Sequence, residues 1–249
     1  MAISDMALVI TNEEVDHATK LAPPFSMPRL LPDGKTVLKS SDRVREAEAN
    51  IMKFVAEHTS IPVPEVHNVY RDAKSSHARI VMEYIDGDRL DSPRGYLTEL
   101  RQIKGAFIGT VDGSGCSDSI FSMNEVDEGP YANKAAFNDA LAKAWSAEDE
   151  GNPVTRLLCR IQHAFMHDHG IVLTHNDLCP RNILVRGATV VAILDWEFSG
   201  FFPEYWEYSV LQTLWRPGWN NVWITEGYVD RILDPYLMEV AVMLNTSTW

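Results

Sequence analysis

The chain has 249 residues, of which 45% are apolar and 23% charged, with 35 acidic against 22 basic side chains for a formal charge of −13. This is the composition of a globular protein long enough to bury a core without a disulfide or metal staple. The acidic excess disfavours nucleic acid and membrane as partners, and no run of 18 apolar residues predicts a membrane-spanning helix.

Residues 1–28 are weakly patterned, with an apolar run at Met6–Ile10 and a Pro23-Pro24 pair. Met1–Asp5 lacks the basic-then-apolar pattern of a secretory signal. The three cysteines (Cys116, Cys159, Cys179) are too few and scattered for a disulfide framework, so the cytoplasm is the expected compartment. Pro32-Asp33-Gly34 is turn chemistry between two short apolar runs and predicts a β-hairpin over Arg29–Lys39. Ser40-Ser41-Asp42 offers N-cap residues for a helix whose apolar positions fall at Val44, Ala47, Ile51, Phe54 and Val55. Strands are predicted over Glu65–Tyr70 and Arg79–Ile85, and Asp86-Gly87 closes the second. Beyond that point the pattern turns helical. Helices are expected over Tyr96–Lys104, from Asn133, and from Asn152-Pro153, the last ending at Gly170 as a C′ glycine. Asn182–Arg186 and Thr189–Leu194 predict two strands turned by Gly187-Ala188, followed by helices near Glu204–Leu214 and Tyr228–Leu244. The sum is an α+β chain with a strand-rich part over residues 1–87 and a helix-rich part over 88–249.

The chemically informative stretch is His175-Asn-Asp-Leu-Cys-Pro-Arg-Asn182, followed by Ile193-Leu-Asp195-Trp-Glu197. The turn at 187–188 lies midway between Asn182 and Asp195. Folding there brings Asp195 back to the open end of the ribbon near Asn182, with Asp177 in the preceding loop. Two carboxylates and an amide make an oxygen set suited to Mg²⁺. Phosphoryl transfer needs such a site together with a carboxylate to take the acceptor proton, and Asp177 is the candidate base.

The spaced set closely resembles the aminoglycoside phosphotransferase and choline kinase group of kinase-like enzymes, most of all its short fungal members. Besides these motifs it includes Glu46-Ala-Glu48, Ser60–Val66, Ile80–Gly87, Phe107–Gly113 and Pro203–Tyr208. The resemblance implies a bilobal protein kinase-like fold, with a small antiparallel-sheet N-lobe carrying one helix and a larger, mainly helical C-lobe. It implies ATP as co-substrate, Mg²⁺ as cofactor and a small-molecule hydroxyl as acceptor. Asp177 would be the catalytic base, and Asn182 and Asp195 the metal ligands. Lys39 would meet the nucleotide phosphates with Glu48 as its partner, Glu46 being the other register. Glu83 and Ile85 would bind adenine through their main chain at the hinge between lobes, and Glu207 would be structural. A cationic acceptor agrees with the charge.

Two departures stand beside the resemblance. No glycine-rich phosphate loop precedes Lys39, Gly34 being the hairpin turn, and the segment after Gly87 is short. They motivate an alternative, a catalytically weak or inactive kinase-like binding protein. His175 is expected to pack and bond neighbouring backbone. Cys179 lacks an activating base. His163, His167 and His169 are expected to complement a helix end rather than hold zinc. Trp196, Phe198, Phe201, Phe202, Tyr205, Trp206 and Tyr208 are expected to be packing residues. The acids at Glu125, Asp127, Glu128 and Glu148–Glu150 read as solvated loops able to steer a basic substrate.

Overall fold

The computed structural model describes residues 8–21, 28–89, 94–118, 120–121, 126–146, 152–166, 169–187, 189–213 and 224–246. In chain order the first elements are α1 (Asn12–His17), β1 (Thr19–Lys20), β2 (Pro28–Leu30), β3 (Thr36–Ser41), α2 (Glu46–His58), β4 (Val66–Arg71), β5 (Ala78–Glu83) and β6 (Asp88–Arg89). They continue with α3 (Arg94–Gln102), α4 (Lys134–Ser146), α5 (Pro153–Phe165), β7 (Ile171–Thr174), β8 (Ile183–Arg186), β9 (Thr189–Ile193) and β10 (Gly200–Pro203). The last are α6 (Trp206–Thr213), α7 (Tyr228–Ile232) and α8 (Leu237–Thr246). The residues fall into two compact units, one gathering those through Asp88 with Leu184–Glu197, the other Arg89–Ile183 with Phe198 onward.

In the first unit an antiparallel sheet runs in the order β1-β2-β3-β5-β4. The hairpin forms where the turn residues predict it. Gly34 takes a left-handed φ of +69°, which a residue without Cβ adopts freely. Asp33 closes the turn by accepting from the N–H groups of Lys35 (2.9 Å) and Thr36 (3.0 Å). Lys39 and its neighbour Ile80 lie on one face of β3 and β5, where α2 buries Ala47, Ile51, Met52 and Val55. Leu38 and Val81 lie on the other and pack with Ile10 and Leu31. The N-cap predicted for α2 is not used. Ser40 and Ser41 instead complete β3, and the helix starts at Glu46 behind Arg45 without a side-chain cap. Helix α1 was not predicted, although Thr11 and Glu14 form a capping box at its start.

Strands β8 and β9 share a sheet with β6. The Ile193 N–H donates to the Pro62 carbonyl at 2.8 Å, which ties this hairpin to the first unit. A Cβ on Gly87 would stand 2.9 Å from the Val185 carbonyl oxygen, so the chain passes β8 closely there. Gly187 takes a φ of +63° at the turn, while Ala188 lies outside the described residues.

The second unit is mainly helical. Its core combines Phe121, Phe137, Leu141 and Trp145 with Phe202, Tyr205, Trp206 and Met243. Of the aromatic series, Phe202 and Trp206 stack with planes 10° apart and Tyr205 packs edge-on to Trp206, so these rings are packing residues. Strand β7 pairs with β10 from Ile171↔Pro203 to Thr174↔Gly200, a ladder that was not predicted. Helix α5 begins as expected, with Asn152 Oδ1 accepting from the Val154 N–H and Pro153 in the first turn. It ends at Phe165 with Met166 as C-cap, so Gly170 is not its C′ residue. The helix predicted over Tyr228–Leu244 is two helices, α7 and α8, separated by Leu233–Tyr236. Pro235 lies in this break because its ring and missing N–H cannot continue a helix. No helix of the described residues is long and apolar enough to cross a membrane.

Candidate active site

The first unit concentrates charge on Lys39. Strand β3 carries its side chain into the interior, where it is 6% exposed. Its Nζ donates to Glu48 Oε1 at 3.0 Å, Asp195 Oδ1 at 2.7 Å and Glu197 Oε2 at 3.1 Å. Glu48, from the first turn of α2, is the partner; Glu46 pairs instead with Arg71 at 2.8 Å. Burial opposes the Lys39 charge, but the three carboxylates together hold the ammonium well above its ordinary range. Three anions to one cation leave an excess of negative charge. Burial pushes the Glu48 carboxyl up to about 7 against the pull of Lys39.

Asp195 follows β9 and adopts a left-handed φ of +63°. Its side chain is 35% exposed, so it reaches solvent as well as Lys39. A half-exposed carboxylate within an anionic excess suits a hard divalent cation. Glu83, at the end of β5, donates its N–H to the Glu65 carbonyl at 2.8 Å. Among the described residues the Ile85 N–H, just past this strand, has no acceptor, so it remains open to a ligand.

The second unit carries the loop before Asn182. Glu207, in the first turn of α6, is 1% exposed and accepts the N–H of His175 at 2.7 Å and of Asn176 at 2.8 Å. Burial raises its carboxyl against the pull of the His175 ring and of these N–H bonds. Asn176 takes a φ of +64°, and its amide donates to the Phe198 carbonyl at 3.0 Å. His175 is fully buried and its Nδ1 accepts the Asp177 N–H at 3.2 Å, so it shapes the loop. The Asp177 carboxylate receives Arg181 Nη2 at 2.9 and 3.1 Å and Asn182 Nδ2 at 2.9 Å. Asn182 lies in a 3-10 turn, Pro180–Asn182, and the strand predicted from Asn182 starts one residue later, at Ile183. Its Nδ2 also donates to the Asp177 carbonyl at 2.8 Å, which leaves Oδ1 as the acceptor a cation could use.

Cys179 is buried, and burial followed by the Asp177 charge pushes its thiol up to about 12, which leaves it unreactive. His163 lies 3.5 Å from Asp139, His167 is outside the described residues, and no metal-binding cluster of His, Cys, Asp or Glu occurs among the described residues. Of the acidic loops, Glu125 and Glu148–Glu150 also fall outside them. Two polar partners escaped the sequence: Glu197, signalled by its D-x-E spacing from Asp195, and Arg181, four residues after Asp177.

A family model described as "Phosphotransferase enzyme family" matches residues 29–227. No curated protein sequence matches the chain. Among solved structures, the apo form of a thermostable mutant of aminoglycoside phosphotransferase APH(4)-Ia is similar, with a TM-score of 0.61 and 17% identity over 92% of this chain and 83% of that one. The streptomycin–ATP ternary complex of APH(2")-IIa gives a TM-score of 0.54 and 16% identity over 94% and 84%. The GDP complex of wild-type aminoglycoside 2'-phosphotransferase-IIIa gives 0.56 and 11% over 92% and 82%. At these identities the likeness is one of fold. With most of its length matched by the family model, the chain belongs to the phosphotransferase enzyme family.

Proposed function

We propose that this protein is an ATP-dependent phosphotransferase that moves the γ-phosphate to a hydroxyl of a small-molecule acceptor. The observation that carries the proposal is the buried Lys39 ammonium held among Glu48, Asp195 and Glu197. A lysine so fixed is ready to meet nucleotide phosphates, and the anionic excess around it suits a divalent cation. ATP in the APH(2")-IIa complex supports the same co-substrate here.

In this account the acceptor hydroxyl oxygen attacks the γ-phosphorus. Its proton passes to an Asp177 oxygen, and the bond to the β,γ-bridging oxygen breaks to release ADP. Lys39 holds the α/β-phosphates, and Glu48 fixes Lys39. The Glu83 carbonyl and Ile85 N–H take the adenine edge. Asn182 Nδ2 orients Asp177, while Asn182 and Asp195 are assigned to Mg²⁺. When bound, Mg²⁺ supplies positive charge that offsets charge developing on the transferred group and the leaving oxygen. The acceptor is a small hydroxyl compound, and a net charge of −13 favours a cationic one in a cytoplasmic setting. The test is a γ-phosphate transfer screen against hydroxyl-bearing metabolites with the Asp195→Ala protein as background. Transfer above that background supports the proposal, and none across the panel counts against it.

A second reading, a catalytically weak or inactive kinase-like binding protein, draws on two observations. The Asp33 carboxylate occupies the N–H groups of Lys35 and Thr36, which a phosphate loop would offer to the nucleotide. Arg181 occupies both Asp177 oxygens, one of which must be released to accept a proton. No thermal shift at millimolar MgATP would favour this reading.

A further inference from the structure

A cavity of about 140 Å³ opens on the sheet face opposite Lys39. The strand register explains its lining. Arg29 pairs across β2 and β3 with Leu38, and Arg79 pairs across β5 and β3 with Ser40, so these four share one face while Lys39 takes the other. Leu38 and Val15, the latter on α1, supply its apolar lining. The polar lining is cationic and rich in donors, with Arg29, Arg79, His77, Ser40 and Ser75 converging on the space.

Arg79 is 7% exposed and fixed by three acceptors, the Ile10 carbonyl at 2.8 Å, Asn12 Oδ1 at 2.7 Å and Asp72 Oδ1 at 3.0 Å. That leaves two of its N–H donors unspent among the described residues. Arg29 makes one long bond, Nη1 to the Val15 carbonyl at 3.4 Å, and meets no carboxylate among the described residues. The Ser40 hydroxyl and the His77 ring likewise have no protein partner there. Two guanidinium groups therefore line this space, with Asp72 as the carboxylate paired to one of them, in a chain whose overall charge is −13. Such a local reversal of sign, with planar donor forks beside a hydroxyl, matches a tetrahedral oxyanion. The volume is well below the ~300–1,000 Å³ of pockets that enclose drug-sized ligands, which suits one phosphate group rather than a nucleotide.

We propose that this cavity binds phosphate, either inorganic or as the ester group of a small phosphorylated metabolite, at a site separate from the Lys39 face. The test is a titration of the full chain with sodium phosphate, followed by two-dimensional 1H–15N spectra against sodium chloride at matched ionic strength. Saturable shifts of the Ser40, Ser75 and His77 amides are expected with phosphate and not with chloride. Arg29→Gln should raise the half-saturating concentration about tenfold or more, the loss of one charged fork. Ser40→Ala should weaken binding less, and it keeps the test open should Arg29→Gln fail to fold. Tighter binding of glycerol 3-phosphate than of inorganic phosphate would identify an ester ligand, and the reverse order free phosphate. Absence of saturable shifts at these amides, or the same half-saturation in both variants as in the unaltered chain, would overturn the proposal.

Discussion

The Glu207 carboxylate receives the backbone N–H of His175 at 2.7 Å and, through its second oxygen, that of Asn176 at 2.8 Å. A helix side chain thus fixes the two residues leading into Asp177, including the left-handed turn at Asn176. Glu207→Ala leaves two buried donors unpaired, at roughly 1–3 kcal/mol each. Urea denaturation should show a loss of roughly 2–6 kcal/mol, and a loss under 1 kcal/mol would mean the loop is held by other contacts.

The same carboxyl makes the loss depend on pH. Burial raises its folded-state pKa above the unfolded value near ~4.3. Its contribution is therefore complete below the unfolded pKa and declines as pH rises through the raised folded one. Glu207→Gln, which cannot titrate, should accordingly cost more stability at pH 5 than at pH 8. Denaturation of both proteins at the two pH values checks the sign, and the opposite order would contradict it.

Lys39→Met removes the only cation in contact with three carboxylates among the described residues and leaves Glu48 buried without it. Breaking a buried pair in this way costs roughly 3–5 kcal/mol, whereas an apolar replacement of both partners recovers much of the loss. Chemical denaturation should therefore rank Lys39→Met/Glu48→Leu above Lys39→Met alone.

The negative excess around Asp195 predicts a response to magnesium in the absence of nucleotide. MgCl2 at 10 mM should raise the melting temperature above sodium chloride of matched ionic strength, because a ligand of the folded state alone stabilises it. Asp195→Asn should abolish the difference. An equal rise in the variant would place the ion elsewhere.

Much of this organisation is legible in the residues themselves. Pro32-Asp33-Gly34 signals the first hairpin, Asn152-Pro153 the start of α5, and the periodicity from Ala47 to Val55 the body of α2. The β7–β10 ladder is not legible. Its strands are four residues each, with no polar alternation in Ile171–Thr174, and they pair from Thr174↔Gly200 out to Ile171↔Pro203, separations that periodicity cannot sense. The break between α7 and α8 was signalled by Pro235, and α1 by the Thr11–Glu14 capping box. At the candidate site, Glu48 as the partner of Lys39 is what the family resemblance implies, and the structure pairs the two at 3.0 Å. Arg181 on Asp177 depends on the 3-10 turn at Pro180–Asn182, a geometry no repeat in the residues announces.

The central claim is tested most directly by following γ-phosphate transfer from labelled ATP to a hydroxyl acceptor in the unaltered chain and in Asp177→Asn. A positioned general base contributes about 10²–10⁴-fold to rate. The account predicts a labelled phosphomonoester from the unaltered chain and a loss of about a hundredfold or more in the variant, with the MgATP-induced thermal shift retained. Equal turnover by Asp177→Asn would contradict it.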